Sequence, residues 1–586
     1  MSNEKGTIVP RRPAEPECRR RTVERREVLA GLAAGAFGSN AQAAGKAPTR
    51  LLDACEPLTG LSFDDAERTQ MSGAVEEIML RARRIAQTPI ENAIAPAELF
   101  DPRLPGWTPQ LSNCSAMRMP NAPSAPQGRD DIAFAPAWRL SAWIARRELT
   151  CRDLTEIYLA RIAERAAPLF CVATLLADRA RAEADKLDRE LEREKWRGPL
   201  HGLPYGLKDL VDTAGVRTAW GAEPYKDRIP EFDAVIVKRL RDAGAVLLAK
   251  TSCGAIAYGD VWYEGRTRNP WNLSEGSSGS SAGSAAAVAD GLCAFAIGTE
   301  TMGSIVSPSS RCGAVGLRPT FGRTPRTGVM ALCWSLDKIG VIARDPLDAA
   351  RVLTVLHGPD GSDPCAIDEP LLEIPEIEPK RVRLGYREEW FADGPPTDRA
   401  ALDAARRAGF NLVNIGMPEF DMNALGGIVV LEAAATFQEL TVSGRDAEMK
   451  WQDDIAWPNS WRAAHYEGAV NYIQAQRLRR KLMGEFARTM ENVDAILHPN
   501  EAGGLLAIGN HCGNPALVLP VGLVHQPTRK DFCGFVPPED IVAGAEMHPV
   551  PFSISLTGRV FDEAMLVAIG MRLFNSLDVR DLRPPQ

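Results

Sequence analysis

Apolar and polar positions divide this chain into helical stretches and short apolar runs. Asp153–Ala167, Asp178–Glu194 and Asp233–Ala243 carry a helical pattern, and Val246–Ala249, directly after the third, reads as a strand. Helices alternating with strands predict an α/β architecture. In mid-chain, Gly283–Asp290 is short, small and helix-forming, with hydroxyls at Ser280, Ser281 and Ser284 around its start and Gly291 as a stop. Ser280 and Ser281 are therefore expected to cap this helix. Leu292–Ile297 is an apolar run bounded by glycines and predicts a buried strand, from which Thr299–Ser304 turns out. Ser304 thus emerges at a strand end, where sheet enzymes place reactive groups.

Outside this body the pattern changes. Residues 44–130 read as an appendage, with helices expected at Phe63–Arg68 and Ala74–Arg84 and a proline-rich extended stretch from Pro89 to Gln127. Such segments suit wrapping or dimerisation. Residues 359–469 carry Trp390, Trp451, Trp457 and Trp461 and read as a variable insertion, either over an active-site mouth or packed between domains. The first 43 residues are arginine-rich up to Arg25-Arg26, then weakly apolar to Phe37, and end in Ala41-Gln-Ala43. That order predicts a twin-arginine export signal, with Glu24 an imperfect match, against the plainer reading of a basic tail. The expected division is a signal over 1–43, an appendage over 44–130 and a catalytic body over 131–586.

Composition narrows the class. At 45% hydrophobic and 25% charged, 586 residues suffice for an extensive core. Removing the leader leaves 60 basic against 71 acidic residues, a net charge of −11, which argues against a nucleic-acid surface. No apolar run beyond the N-terminus approaches membrane-spanning length, so no stable membrane insertion is expected once the leader is cleaved. The cysteines show no C-x-x-C spacing or His/Cys cluster, so neither metal nor a regular disulfide framework is predicted, and most read as small core residues.

The candidate chemistry lies in two serine-bearing, glycine-rich turns, Gly276–Val288 and Gly298–Ser304, and in a lysine upstream in Gly206-Leu-Lys-Asp209. A flexible linker is excluded because the Ser/Gly tract runs straight into a helix and a buried strand. Gly279-Ser-Ser-Ala-Gly283 matches a nucleophile elbow but lacks the strand that must precede one, and Ser335-Leu-Asp-Lys338 matches S-x-x-K without its partner motifs. His201, His498 and His511 are isolated and read as structural.

These residues resemble the amidase signature family of serine amidases. The resemblance rests on His201–Asp209, Asp242–Thr251, Arg268-Asn-Pro-Trp271, Ser280–Val288, Gly303-Ser-Ile305, Gly313–Thr320, Ser335-Leu-Asp337, Tyr472–Arg480, Gly513-Asn-Pro-Ala516 and Leu556–Ala564, in that order. It covers about residues 131–358 and 470–580 and implies a mixed central β-sheet flanked by helices, here with an N-terminal helical extension. It also implies a triad of nucleophilic Ser304, bridging Ser280 held by a cis peptide, and Lys208. Backbone amides of Thr301, Met302, Gly303 and Ser304 would form the oxyanion hole. No cofactor or metal is implied.

The residue types suit the task. A serine hydroxyl needs a base, and a lysine serves only with a neutral amine, so Lys208 should be buried and lowered in pKa. Asp209 should face the opposite side, as neighbours on extended backbone do. Ser280 would relay protons as histidine does in other triads. One departure stands out: relatives usually read Asp-x-Gly-Gly-Ser-Ile-Arg where this chain has Glu300-Thr-Met-Gly-Ser-Ile-Val306. Met302 is expected to reshape the turn, and Arg311 or Arg318 to replace the lost arginine.

The expected substrate is a small-molecule amide. Tyr258 and Trp262 fall in a region that lines the acyl pocket in relatives, which points to a bulky or aromatic amide, although aromatic residues are as often plain core. Three functions compete: a free-standing amidohydrolase on a linear amide or anilide, exported to the periplasm and allowed to be a homodimer; the glutamine-amidase subunit of a tRNA-dependent amidotransferase, cytoplasmic and with partner subunits; and an inactive binding protein on the same fold.

Overall fold

The computed structural model describes residues 49–59, parts of 62–120, and 121–585 except 393–394, 501 and 531–540. The expected export signal and most of the Ala74–Arg84 helix lie outside the described residues. The chain divides into two compact units, Met1–Thr88 and Pro89–Gln586. In the first, a helix at Thr49–Thr59 precedes a short helix at 65–70, and Arg68 forks onto Glu56 at 2.6 and 2.9 Å.

The second unit is built on one mixed sheet of eleven strands. In chain order they are β1 Val172–Leu175, β2 Pro204–Lys208, β3 Val246–Thr251, β4 Phe295–Glu300, β5 Val315–Arg318, β6 Lys338–Ala343, β7 Arg383–Tyr386, β8 Asn411–Asn414, β9 Ala495–Pro499, β10 Ala516–Pro527 and β11 Met547–Gly558. Their order across the sheet is β1-β3-β2-β4-β6-β5-β10-β11-β9-β7-β8. β2 runs parallel to both β3 and β4, whereas β6 pairs antiparallel to β4 and β5. Residues of β2, β3, β4 and β6 are buried throughout, which explains their near-continuous apolar sequence: strands covered on both faces need no polar alternation. The segment 359–469 contributes β7 and β8 to the sheet edge and the helices Pro396–Arg407, Asn423–Thr436, Gln438–Ser443 and Trp457–Ala464.

The flanking helices begin and end near their expected bounds. Cys151–Leu169 starts on Thr150, whose hydroxyl accepts from the Asp153 amide at 2.9 Å, and Ala177–Glu192 and Val235–Asp242 follow. The mid-chain helix is Ala282–Ala289, closed by Gly291 at φ +64°. Two expectations fail here. Ser281 stands at the N-cap position, but neither its hydroxyl nor that of Ser280 makes a capping hydrogen bond. Instead Ser281 Oγ donates to the Thr299 carbonyl at 3.0 Å and accepts from its amide at 3.1 Å, so the hydroxyl ties the helix start to β4. The strand also lies later than Leu292–Ile297, because the ladder to β6 runs from Ala296↔Ile342 to Glu300↔Lys338. Gly298, expected to begin a turn, sits inside the strand, where a Cβ would stand 2.8 Å from Ser281 Oγ.

Eight of the nine described cysteines are buried and all nine are free. Among the described residues, no helix is long and apolar enough to cross a membrane.

Candidate active site

β2, β3 and β4 run side by side in one direction, so Lys208 at the end of β2 and the turn after β4 come to the same edge of the sheet. Lys208 is fully buried, and its amine donates to Ser280 Oγ and Thr299 Oγ1, each at 2.8 Å, with Thr299 O at 3.4 Å. No partner is a carboxylate. Burial removes the charged amine from water and lowers its pKa from the usual lysine range to about 7. Asp209 faces away, accepting from the Ala219 amide at 2.9 Å and lying 3.7 Å from Lys250. The Gly279–Ser280 peptide is cis.

Ser304 follows β4 on a turn in which Gly303 adopts φ +107°, and its carbonyl accepts from the Ser281 amide at 3.1 Å. The turn is anchored by Glu300, whose Oε2 accepts from the amides of Ile305 and Val306 at 2.8 and 2.9 Å. Glu300 Oε1 accepts from Arg318 Nη1 at 2.7 Å and from Asn510 Nδ2 at 2.9 Å. Arg318, on β5, therefore supplies the guanidinium that the turn lacks. Arg311 faces Glu275 instead, at 3.5 Å. Met302 sends its side chain against an apolar cluster containing Leu336, Ile428 and Leu505, and Val306 packs with Ala516 and Val518.

A cavity of about 420 Å³ borders this edge. Thr299, Thr301, Trp220, Met330 and Lys338 are among its walls, while Ser280 and Ser304 are not. Tyr258 and Trp262 do not line it either. Tyr258 packs its ring at 5.1 Å from both Trp451 and Trp457, and Trp262 is a buried residue edge-on to Tyr263. Within the tryptophan-bearing segment, Trp457 Nε1 donates to the Ile256 carbonyl at 2.9 Å, and Gly254, two residues earlier, donates its amide to Ser280 O at 3.3 Å. His498 lies in the core, hydrogen-bonded to Thr557 Oγ1 at 2.9 Å, and burial lowers its pKa to about 4.

Two site residues escaped the sequence reading. Thr299 holds Lys208 through its hydroxyl, and nothing marks one threonine in a Gly-Thr-Glu run. Lys338 lies at the base of the turn; it belongs to the discounted Ser335-Leu-Asp-Lys338 match, and its other signal is a lysine opening the buried strand Lys338–Ala343.

The parallel strand ends thus bring a buried lysine beside a glycine-bearing serine turn. The amidase family profile matches residues 153–567, and the chain belongs to the amidase family, whose members act on carbon–nitrogen bonds. It is 33% identical over 470 residues to a glutamyl-tRNA(Gln) amidotransferase subunit of Roseiflexus sp. (strain RS-1), covering 73% of this chain and 93% of that protein. The corresponding protein from Geobacter sulfurreducens is 33% identical over 407 residues, covering 64% of this chain and 83% of that protein. Among solved structures, the native peptide amidase from Stenotrophomonas maltophilia superposes with a TM-score of 0.64 at 28% identity, covering 77% of this chain and 98% of that one.

Proposed function

We propose that this chain hydrolyses a carboxylic amide through an acyl-serine intermediate, with Ser304 as nucleophile, Ser280 as proton relay and Lys208 as base. One observation carries the reading: a buried amine with a pKa of about 7 is held 2.8 Å from a serine hydroxyl beside the turn that bears Ser304. Ser304 Oγ attacks the amide carbon and its proton passes through Ser280 to Lys208. The same proton then goes to the departing nitrogen as the C–N bond breaks, and water repeats the sequence to free the acid. Amides of residues 301–304 receive the negative oxygen, each such donor contributing about 3 kcal/mol to lowering the barrier.

For the amide itself, the amidotransferase relatives favour the glutamine-amidase reading over a free-standing linear amidase. The chain then releases ammonia from glutamine within a larger assembly of partner subunits, and this suits the cytoplasmic alternative better than export. The likeness to a peptide amidase favours a second reading, a free-standing enzyme acting on a terminal carboxamide. The division at residues 43 and 130 belongs to the same proposal, as do supporting roles for Tyr258 and Trp262 from outside the cavity walls. Ammonia release from glutamine and from C-terminal peptide amides, measured beside Ser304→Ala and Lys208→Ala, tests it. Turnover lost in both variants supports the mechanism, and the preferred amide chooses between the readings. No turnover, together with no labelling of Ser304 by a fluorophosphonate, overturns both in favour of a binding protein.

A further inference from the structure

Two consecutive residues take hold of Thr301 from different directions. Asp337 Oδ1 accepts from Thr301 Oγ1 at 2.6 Å, and Asp337 Oδ2 is fixed by the amides of Leu332 and Cys333 at 2.7 and 3.0 Å. Lys338 opens β6 opposite Glu300, is 2% exposed, and donates its amine to the Leu336 carbonyl and, at 3.4 Å, to the Thr301 carbonyl. Hydroxyl and carbonyl of one residue are thus gripped by two chain neighbours at the start of one strand.

The carbonyl of Thr301 and the amide of Met302 belong to one planar unit and point in opposite directions across it. A cation that draws the carbonyl to one side therefore aims the Met302 N–H to the other. We propose that Lys338 is a positioning residue of the nucleophile turn, clamping Thr301 together with Asp337 so that the Met302 amide is presented to the oxyanion. The clamp rests on the acyl-serine reading above. It holds Thr301 while Glu300 holds the amides of Ile305 and Val306, so the segment 300–306 is held at both ends.

The charged groups around Lys338 are Glu300, Asp337, Arg318 and Arg479, with His511 also close by. Burial, reinforced by Arg318, lowers the amine to about 7. The cation that grips the carbonyl is therefore lost as pH rises through neutrality, while Lys208 gains its working, neutral form over the same interval.

The test compares wild type, Lys338→Met, Lys338→Gln and Thr301→Val by kcat, KM, thermal midpoint and pH profile on whichever amide the wild type turns over. Lys338→Met should fold, lower kcat about 100-fold with KM within about twofold, and lose the falling limb of the pH profile. Lys338→Gln retains an N–H and should recover about tenfold of that loss. Thr301→Val releases the Asp337 grip alone and should lower kcat about tenfold. A folded Lys338→Met with wild-type kcat overturns the clamp, as does a Lys338→Gln no better than Lys338→Met. Wild type that neither turns over nor is labelled at Ser304 overturns the acyl-serine reading, and the clamp with it.

Discussion

Replacing Arg318 by methionine separates the two functions of Glu300, anchoring the turn that bears Ser304 and carrying a buried charge. Both side chains are almost wholly shielded from water, at 1% and 0% exposure, and their contact is 2.7 Å. Arg318 Nη2 also donates to the Asn514 carbonyl at 2.8 Å. With the guanidinium gone, the Glu300 carboxylate keeps three N–H donors, from Asn510, Ile305 and Val306, but loses its main counter-charge. Leaving one partner of a buried pair alone costs about 3–5 kcal/mol, part of which the well-packed methionine and the nearby Lys338 amine offset. We expect a net loss of about 3 kcal/mol near neutral pH. The sign with pH follows from the shift. Burial opposes ionisation of Glu300, yet Arg318 and Lys338 hold its pKa below 4.5, so the pair's contribution is present above 4.5 and is lost as pH falls through the lower folded value. The difference between Arg318→Met and wild type should therefore shrink in acid. Urea unfolding at neutral and acid pH, followed by tryptophan fluorescence, measures it. A variant within about 1 kcal/mol of wild type at neutral pH, with undiminished turnover, would refute both the energetic argument and the anchoring role.

Three further outcomes follow from the same geometry. On the proposed mechanism Lys208 works only when neutral, at a pKa of about 7, so kcat/KM of Lys338→Met, which lacks the falling limb, should rise with pH through neutrality, and a profile flat across that interval would remove Lys208 as the base. Thr299→Val deletes the hydroxyl 2.8 Å from the Lys208 amine while keeping its shape, and should lower kcat about tenfold with little change in thermal midpoint; equal kcat would show that Ser280 alone orients the amine. Gly279→Ala would place a Cβ 1.7 Å from the Gly259 carbonyl oxygen, a backbone atom with no freedom to swing aside. That variant should lose soluble expression or activity altogether, and wild-type activity would contradict the packing around Ser280.

Much of the site was legible because its parts are local. Gly206-Leu-Lys-Asp209 contains the extended backbone that sends Lys208 and Asp209 to opposite sides, and the structure keeps them apart. The acid of the turn was legible too, and one of two candidate arginines, Arg318, proved to be its partner. The choice over Arg311 needed the antiparallel pairing that sets β5 beside β6 and β6 beside β4. The serines show the limit of local rules. A hydroxyl at a helix start normally satisfies the helix's own amides, but Ser281 meets the backbone of Thr299, eighteen residues on, in the strand beneath the helix. The strand bounds failed for the same reason, since Gly298 and Thr299 look like turn residues until a neighbouring strand pairs with them.

The sequence by itself determined the α/β alternation and the helices on the sheet, because propensity, apolar period and glycine placement act over a few residues. Tertiary structure alone decided that Thr299, Asp337 and Lys338 gather around the turn, that Tyr258 and Trp262 leave the cavity to Trp220 and Met330, and that Arg318 rather than Arg311 pairs with Glu300. Contacts of that kind are set by which strands the sheet brings together, and burial then lowers the pKa of an ordinary lysine to about 7.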